Sequence, residues 1–219
     1  MTNWLGRAWK RVFDLTVAIA ALVLFAPFLG LIAVAIKVSS KGPVLFRQER
    51  IGWQGRKFYI IKFRSMMQNA PYIRNPDGSA YSSDTDPRVT RLGRILRRTS
   101  LDEIPQLWNV VRGEMSLVGP RPELAEGIQS YRPADFRRLN VRPGMTGWAV
   151  VHGRNDVPIQ MRRDLDTWYA DHADTLLDLK ILCMTIATVM VRDGVNRRGA
   201  APPPDAEHGM ETQPCSTEN

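Results

Sequence analysis

The sequence predicts a helix-rich α+β fold with a small β-hairpin and an N-terminal membrane helix, and three patterns support this prediction. Residues 15–36 form a run of 22 uncharged, mainly apolar residues. Residues 44–48 and 57–64 are rich in β-branched and aromatic residues and flank a glycine-containing segment. Residues 90–100 combine leucine, isoleucine and arginine at helical spacing. These patterns are typical of a membrane helix, a strand pair and an amphipathic helix, respectively.

The composition is that of a folded protein with a basic main part. Hydrophobic residues make up 44% and charged residues 24% of the 219 residues, which excludes wholesale disorder and collagen. Two cysteines, Cys183 and Cys215, are too few for a disulfide framework and favour a reducing compartment.

The charge is distributed unevenly along the chain. All 30 basic residues but only 18 of the 22 acidic ones lie in residues 1–199, so this part carries a formal charge of +12. Residues 200–219 are predicted to be a disordered acidic tail. The basic part should bind anionic partners, and nucleic acid, anionic lipid and phosphorylated small molecules are all compatible with it.

The apolar run has two features that argue against a simple membrane span. As a straight helix of about 33 Å it could cross a hydrocarbon core of about 30 Å. Basic residues flank both ends, however, and the positive-inside rule places both on the cytoplasmic side. Pro27 lies near the middle and can bend a helix. We therefore favour a re-entrant helical hairpin over residues 1–41, broken at Pro27, over a kinked span. Arg11 and Asp14 are expected to form an ion pair at its border.

The two β-rich runs predict a hairpin that contains an unusual lysine. Lys62 shares a strand face with Phe58 and Ile60, so it either has a buried acidic partner or ligand, or reaches water at the strand end. Residues 68–87 form a long loop, mobile or acting as a lid. The arginines of the following basic helix, Arg97 among them, are expected to meet solvent, lipid head groups or a phosphate.

Two adjacent acids, Asp102 and Glu103, follow that helix. Ser100 and Glu103 have the spacing of a capping box, but Pro105 favours a helix start nearer Ile104. In either case the carboxylates lie around a helix N-terminus, where carboxylates and phosphates are stabilised. Most such acidic pairs are caps or surface charges.

Proline- and glycine-rich segments further on hold single arginines in stiff loops. Arg121 lies between Pro120 and Pro122, and Arg154 lies in a comparable segment with glycine and asparagine. Such a guanidinium is pre-organised for an oxyanion, or it holds the loop through a salt bridge. The apolar run 181–191 is too short to span a membrane and predicts a core or interfacial helix. Patterns for zinc sites, P-loops, dinucleotide binding and nucleophile elbows are absent from the sequence.

Several ordered motifs resemble those of the monotopic bacterial phosphoglycosyl transferases, or bacterial sugar transferases, in their small catalytic form. The resemblance covers residues 10–198. It rests on the following segments: Lys-Arg-Val-Phe-Asp (10–14), Lys-Phe-Arg-Ser-Met (62–66), Ser-Leu-Asp-Glu-Ile-Pro-Gln-Leu-Trp-Asn (100–109), Gly-Glu-Met-Ser-Leu-Val-Gly-Pro-Arg-Pro (113–122), Arg-Pro-Gly-Met-Thr-Gly-Trp (142–148) and Gly-Arg-Asn (153–155).

The resemblance implies a reaction and a set of site residues. A phosphosugar would pass from a UDP-sugar to polyprenyl (undecaprenyl) phosphate, with release of UMP, at the cytoplasmic face of the bacterial inner membrane. Asp102 would be the nucleophile and a Mg²⁺ ligand, supported by Glu103. The remaining roles would fall to basic residues: Arg121 and Arg154 as phosphate clamps, and Lys62 and Arg97 as supporting residues. Residues 42–199 would then form a cytosolic, membrane-associated catalytic domain.

A non-catalytic, membrane-anchored basic protein is the alternative function. It would bind anionic lipid or nucleic acid and would explain the charge and the anchor. It would not explain the acidic pair beside proline-locked arginines, and we expect no nucleic-acid partner. The sequence does not indicate the sugar, the glycan pathway or the oligomeric state.

Overall fold

The fold is a helix-rich α+β arrangement, as the sequence predicts. The computed structural model describes residues 4–71, 73, 81, 83, 85–152 and 158–190. The predicted acidic tail and Arg154 lie outside the described residues. The helices and strands follow in this order: α1 Trp4–Ser39, β1 Leu45–Ile51, β2 Lys57–Phe63, α2 Arg91–Arg98, α3 Leu107–Arg112, β3 Ser116–Val118, β4 Gly144–Thr146, α4 Trp148–Val151, α5 Ile159–His172 and α6 Thr175–Met190.

Helix α1 is the predicted apolar helix. Among the described helices it alone is long and apolar enough to cross a membrane. It stays helical through Pro27, so a bend at this residue remains a prediction. Ala18 belongs to a buried cluster that includes residues of β2 and α3, and Ile36 belongs to a second one with residues of β2 and α2. Residues 23–28, between these two contacts, are all exposed. Both halves of α1 therefore pack against the rest of the protein, while its middle does not.

The N-terminal half of α1 is attached through polar side chains. Arg11 donates to the carbonyl oxygens of Val110 and Val111, at 2.6 and 3.0 Å, which lie in the last turn of α3. Asp14 accepts a hydrogen bond from Leu117 N in β3 at 3.2 Å. The predicted ion pair between Arg11 and Asp14 is therefore wrong, because Arg11 binds main-chain groups of α3 and Asp14 binds one of β3 instead.

Strands β1 and β2 form the predicted antiparallel hairpin, with Leu45 opposite Phe63 and Ile51 opposite Lys57. A 3₁₀ turn, Trp53–Gly55, connects them. The side chain of Asn109 in α3 makes two hydrogen bonds to the backbone of β2. Its Oδ1 accepts from Ile61 N, and its Nδ2 donates to Tyr59 O. These bonds attach the segment after α2 to the strand that carries Lys62.

Helix α2 is the predicted amphipathic basic helix, and it lies directly on the backbone that follows β2. Leu96 is buried and Ile95 is exposed. Gly93 permits this close packing, because a Cβ atom there would lie 1.9 Å from Ser65 O. The contact holds α2 where Arg97 Nε can donate to Ser65 Oγ at 2.9 Å.

Replacing Gly93 with Ala should destabilise the protein, although alanine ordinarily favours a helix by about 1 kcal/mol over glycine. The methyl group would overlap a backbone carbonyl, so α2 has to move away from Ser65. We expect a lower midpoint in thermal unfolding. Gly30→Ala in α1 is the matched control, since nothing lies within 4 Å of its Cβ position. An unchanged midpoint for Gly93→Ala would contradict the close packing.

The sequence did not predict the short parallel pair of β3 and β4, in which Ser116 lies opposite Gly144. A Cβ on Gly119 would lie 2.3 Å from Arg142 O, so glycine lets the chain that leads to Arg121 pass close to β4. Helix α6 confirms the predicted core helix, while its predicted interfacial location stays a prediction. Ile181 is fully buried in the core, whereas Leu179 and Ile186 are exposed.

Candidate active site

The acidic pair lies on a 3₁₀ helix, Leu101–Gln106, and not at the start of an α-helix. Ser100 has a left-handed backbone with φ 56° and makes no side-chain cap. The capping-box prediction is therefore wrong, and α3 begins only at Leu107, later than either predicted start. Pro105 supplies no N–H for an α-helical bond, so the preceding turn closes by the tighter 3₁₀ pattern, with Glu103 N donating to Ser100 O.

Glu103 is held by two cations from distant parts of the chain. Lys62 Nζ lies 2.6 Å and Arg121 Nη2 lies 2.7 Å from the same oxygen, Glu103 Oε1. Of the alternatives predicted for Lys62, the structure thus confirms the acidic partner, which is Glu103. The lysine on the apolar strand face has an acidic partner and does not extend into solvent.

The protonation states follow from this arrangement. Burial alone would raise the pKa of Glu103, but the charges and hydrogen bonds of Arg121 and Lys62 outweigh burial and hold this pKa well below its usual range. Burial lowers the pKa of Lys62 and outweighs the opposite effect of Glu103. Glu103 is therefore a permanent anion that orients the two cations beside it.

Asp102 is in a different environment. It is 8% exposed, and none of the described residues donates a hydrogen bond to its carboxylate. Burial, followed by the charge of Glu103, raises the pKa of Asp102 to about 6, while Lys62, Arg97 and Arg121 act in the opposite direction. Such a carboxylate is desolvated and not engaged by protein donors. Both properties suit a nucleophile.

The backbone at Arg121 is anchored by a buried guanidinium. Arg138 Nη2 donates to Arg121 O at 2.7 Å, and Arg138 also binds Asp166 and Glu123, each at 2.6 Å. Arg163 binds the other oxygen of Glu123 at 2.9 Å. We call Glu123, Arg138, Arg163 and Asp166 the buried ion network. It holds the loop whose side chain reaches Glu103.

Sequence reasoning did not identify this network as part of the site. Arg163 and Asp166 are three residues apart on α5 and so lie on one helix face, which is the signal available in the sequence. Their partners lie in other parts of the chain. Glu123 is in a loop, and Arg138, 15 residues later, is in a 3₁₀ helix, Pro133–Asn140. No local pattern indicates that these four charges meet.

Other arginines of the basic helix and of the glycine- and proline-rich segments have different surroundings. Arg97 binds Ser65 and lies near enough for its charge to affect the pKa of Asp102. Arg142 holds loops together, since it donates to Gly113 O at 2.9 Å and stacks over Trp53. Arg154 falls outside the described residues, so its predicted clamp role stays a prediction.

The residues around Asp102 show how a metal ion could be bound at this site. The described residues contain no group of three or more side chains of the types that bind metals. Mg²⁺ is commonly held by one or two carboxylates together with substrate phosphates. Because no described residue donates to the Asp102 carboxylate, it fits that role, whereas Glu103 is engaged by two cations.

The described geometry defines a class of protein. It combines a pair of adjacent carboxylates, two cations that bind one of them, and a helix long and apolar enough to cross a membrane. Comparison with known sequences gives the family. The profile of the bacterial sugar transferase family matches residues 5–192. The chain belongs to this family, and it is therefore a transferase.

Individual relatives agree with this assignment. An uncharacterized sugar transferase EpsL from Bacillus subtilis is 39% identical over 86% of this chain and 90% of its own length. The exopolysaccharide production protein ExoY from Rhizobium meliloti is 40% identical over 87% of this chain and 89% of its length. An undecaprenyl-phosphate glucose phosphotransferase from Komagataeibacter xylinus is 44% identical over 81% of this chain, which spans only 35% of that relative.

Proposed function

We propose that this protein is a phosphoglycosyl transferase that moves a phosphosugar from a UDP-sugar to undecaprenyl phosphate and so initiates glycan assembly. One observation carries the proposal. A buried Asp102 carboxylate without a described donor adjoins Glu103, which is held by Lys62 and Arg121. The names of the relatives, which include a UDP-galactose-lipid carrier transferase from Erwinia amylovora (41% identical), support the substrate classes.

The proposed reaction has two displacement steps. An oxygen of Asp102 attacks the β-phosphorus of the UDP-sugar, and an aspartyl-phosphate bond forms. The bond between this phosphorus and the bridging oxygen breaks, so UMP leaves with the electron pair. A phosphate oxygen of the lipid then attacks the same phosphorus, which yields the lipid diphosphate sugar and restores the Asp102 carboxylate. Splitting the transfer in this way is typical of carboxylate nucleophiles.

The surrounding cations have defined tasks in these steps. Arg121 and Lys62 place positive charge beside the reacting phosphorus, where electrostatic stabilisation is the main contribution to phosphoryl transfer. Glu103 orients both. Asp102, together with the diphosphate oxygens, would hold Mg²⁺. When bound, this ion would neutralise charge that develops on the leaving phosphate.

A UDP-sugar screen tests the function. Membrane-reconstituted protein is incubated with Mg²⁺, undecaprenyl phosphate and single UDP-sugars, and UMP release is measured. The expected result is repeated turnover, with more than one UMP released per protein, that depends on the sugar and on the lipid. Failure of every sugar to release UMP would favour a non-catalytic protein that binds anionic lipid.

The re-entrant arrangement of α1 is part of the proposal and would place the site at the cytoplasmic face of the inner membrane. A straight helix lying along the protein would bury a residue every three or four positions. Residues 23–28 are instead all exposed, whereas Ala18 before them and Ile32 and Ile36 after them are buried. A bend at Pro27 that carries an apolar tip away from the protein accounts for this pattern.

Cysteine labelling gives a prediction for this topology. In a chain with Cys183 and Cys215 changed to Ser, we expect Gly6→Cys and Pro43→Cys to react with a membrane-impermeant reagent from the same face. Both halves of α1 pack against the rest of the protein, which supports the expectation that both ends lie on one side. Phe25→Cys, at the exposed tip, should be shielded from both faces. Labelling of the two ends from opposite faces would establish a membrane span.

A further inference from the structure

A small polar cavity adjoins the acidic pair. It has a volume of about 20 Å³ and is lined by Arg50, Ile60, Lys62, Gln106, Arg121 and Pro122. A cavity of this volume holds little more than one water-sized group. The cavity therefore suits a single polar group of a substrate better than a whole nucleotide sugar.

Gln106 is the unexplained residue of this cavity. It is 2% exposed, and its Nε2 has no hydrogen-bond partner among the described residues. A buried amide without a partner is costly, and native proteins seldom keep one without a reason. The nearby Asn109 offers the contrast, because its amide group binds Ile61 N, Tyr59 O and Glu114 Oε2. Asn109 therefore stabilises the fold through its side-chain amide, whereas the Nε2 group of Gln106 remains available for a ligand.

The chemistry of the cavity indicates what Gln106 binds. Three of the lining side chains, Arg50, Lys62 and Arg121, are cationic, and Lys62 and Arg121 share the single carboxylate of Glu103. An oxygen that enters such a cavity is best stabilised when it is anionic. The Nε2–H group donates, so it complements an acceptor.

We propose that Gln106 donates from Nε2 to a phosphoryl oxygen during transfer and is a substrate-contacting residue of the reaction. This inference rests on the proposed function. The oxygen belongs either to the donor diphosphate or to the lipid phosphate, and the two half-reactions distinguish these sources.

The test compares Gln106→Met, which keeps the size and removes the donor, with Asn109→Leu. UMP release is measured first without lipid acceptor, and the sugar adduct is then chased with undecaprenyl phosphate. Gln106→Met should slow one half-reaction by about 10- to 100-fold, the range expected for a hydrogen bond to a charged group, with an unchanged unfolding midpoint. Asn109→Leu should lower the unfolding midpoint, because three protein hydrogen bonds are lost. A slow first step assigns the donor diphosphate, and a slow chase alone assigns the lipid phosphate.

A second variant and a binding assay keep the inference testable. Gln106→Glu places an acceptor where a donor is needed and should reduce the rate at least as strongly. Affinity for inorganic pyrophosphate, measured by titration calorimetry, does not depend on turnover and should fall in Gln106→Met. Wild-type rates and wild-type pyrophosphate affinity in these variants would overturn the role of Gln106. A wild-type protein that binds pyrophosphate through Gln106 but releases no UMP would overturn the proposed reaction alone.

Discussion

Replacing Asp102 with Asn is expected to abolish both UMP release and the covalent phosphosugar adduct. The amide has the shape of the carboxylate but cannot form the aspartyl-phosphate bond, so the rate should fall by about 10⁴-fold or more. Intact-mass measurement after incubation with a UDP-sugar and no lipid detects the adduct, and peptide mapping locates it.

The unfolding midpoint of Asp102→Asn and the activity of a surface variant serve as controls. Asp102 is buried beside another carboxylate, and no described residue donates to it. Removing its charge should therefore leave the unfolding midpoint unchanged or raise it. Glu49→Gln, which affects an exposed ion pair with Lys57, should retain full activity. An adduct that persists in Asp102→Asn, or one that maps to Glu103, would show that another residue is the nucleophile.

Of the proposed substitutions, Arg138→Met should reduce the free energy of unfolding the most, by about 3–5 kcal/mol. It leaves the Asp166 carboxylate buried without its cation. In a chain of this size such a loss lowers the unfolding midpoint by about 6–20 °C. The variant also loses the bond from Arg138 to Arg121 O, so UMP release should slow even at temperatures where the protein is folded.

The neighbouring arginine supplies the matched control. Arg137 is 55% exposed and binds Asp171 on the surface at 2.9 Å. Exposed pairs contribute about 0–1 kcal/mol, so Arg137→Met should change neither stability nor rate appreciably. Equal effects of the two substitutions would argue against the buried ion network as the anchor of Arg121.

The difference in stability between the wild type and Arg138→Met should depend on pH. Burial raises the pKa of Asp166 to about 6 even with Arg138 beside it, and loss of Arg138 would raise this pKa further. At pH 5 Asp166 is largely protonated in both folded proteins, so its charge contributes little to their difference. At pH 8 the variant must bury an unpaired carboxylate or keep it protonated against the solvent pH. The stability difference should therefore be larger at pH 8 than at pH 5. A constant difference would mean that Asp166 does not depend on Arg138.

Local patterns in the sequence predicted the elements correctly where short-range physics decides them. The apolar run became α1, the β-rich runs became the hairpin, and residues 91–98 became an amphipathic helix. Gly113 ends α3 in the left-handed conformation with φ 81°. Each of these features depends on side-chain spacing or on the freedom of one backbone residue, and both can be read from adjacent positions.

Local patterns failed where a distant partner takes over. The spacing of Ser100 and Glu103 indicated a cap, but Glu103 binds Lys62, 41 residues away, and Arg121. Arg11 and Asp14 have a helical pair spacing, yet they bind main-chain groups about 100 residues away. In both cases a charge-assisted bond within the folded protein replaced the local interaction.

The ordered motifs in the sequence are sufficient to identify the family, the acidic pair and the arginine between two prolines that the proposed chemistry uses. How these groups act depends on contacts between distant parts of the folded chain. The tertiary structure left Asp102 without a described donor, held Glu103 between two cations, anchored Arg121 through the buried ion network and gave Gln106 a place beside the acidic pair. The physical reason is that burial and long-range charge set protonation states and hydrogen-bond partners, and neither quantity is encoded at neighbouring positions.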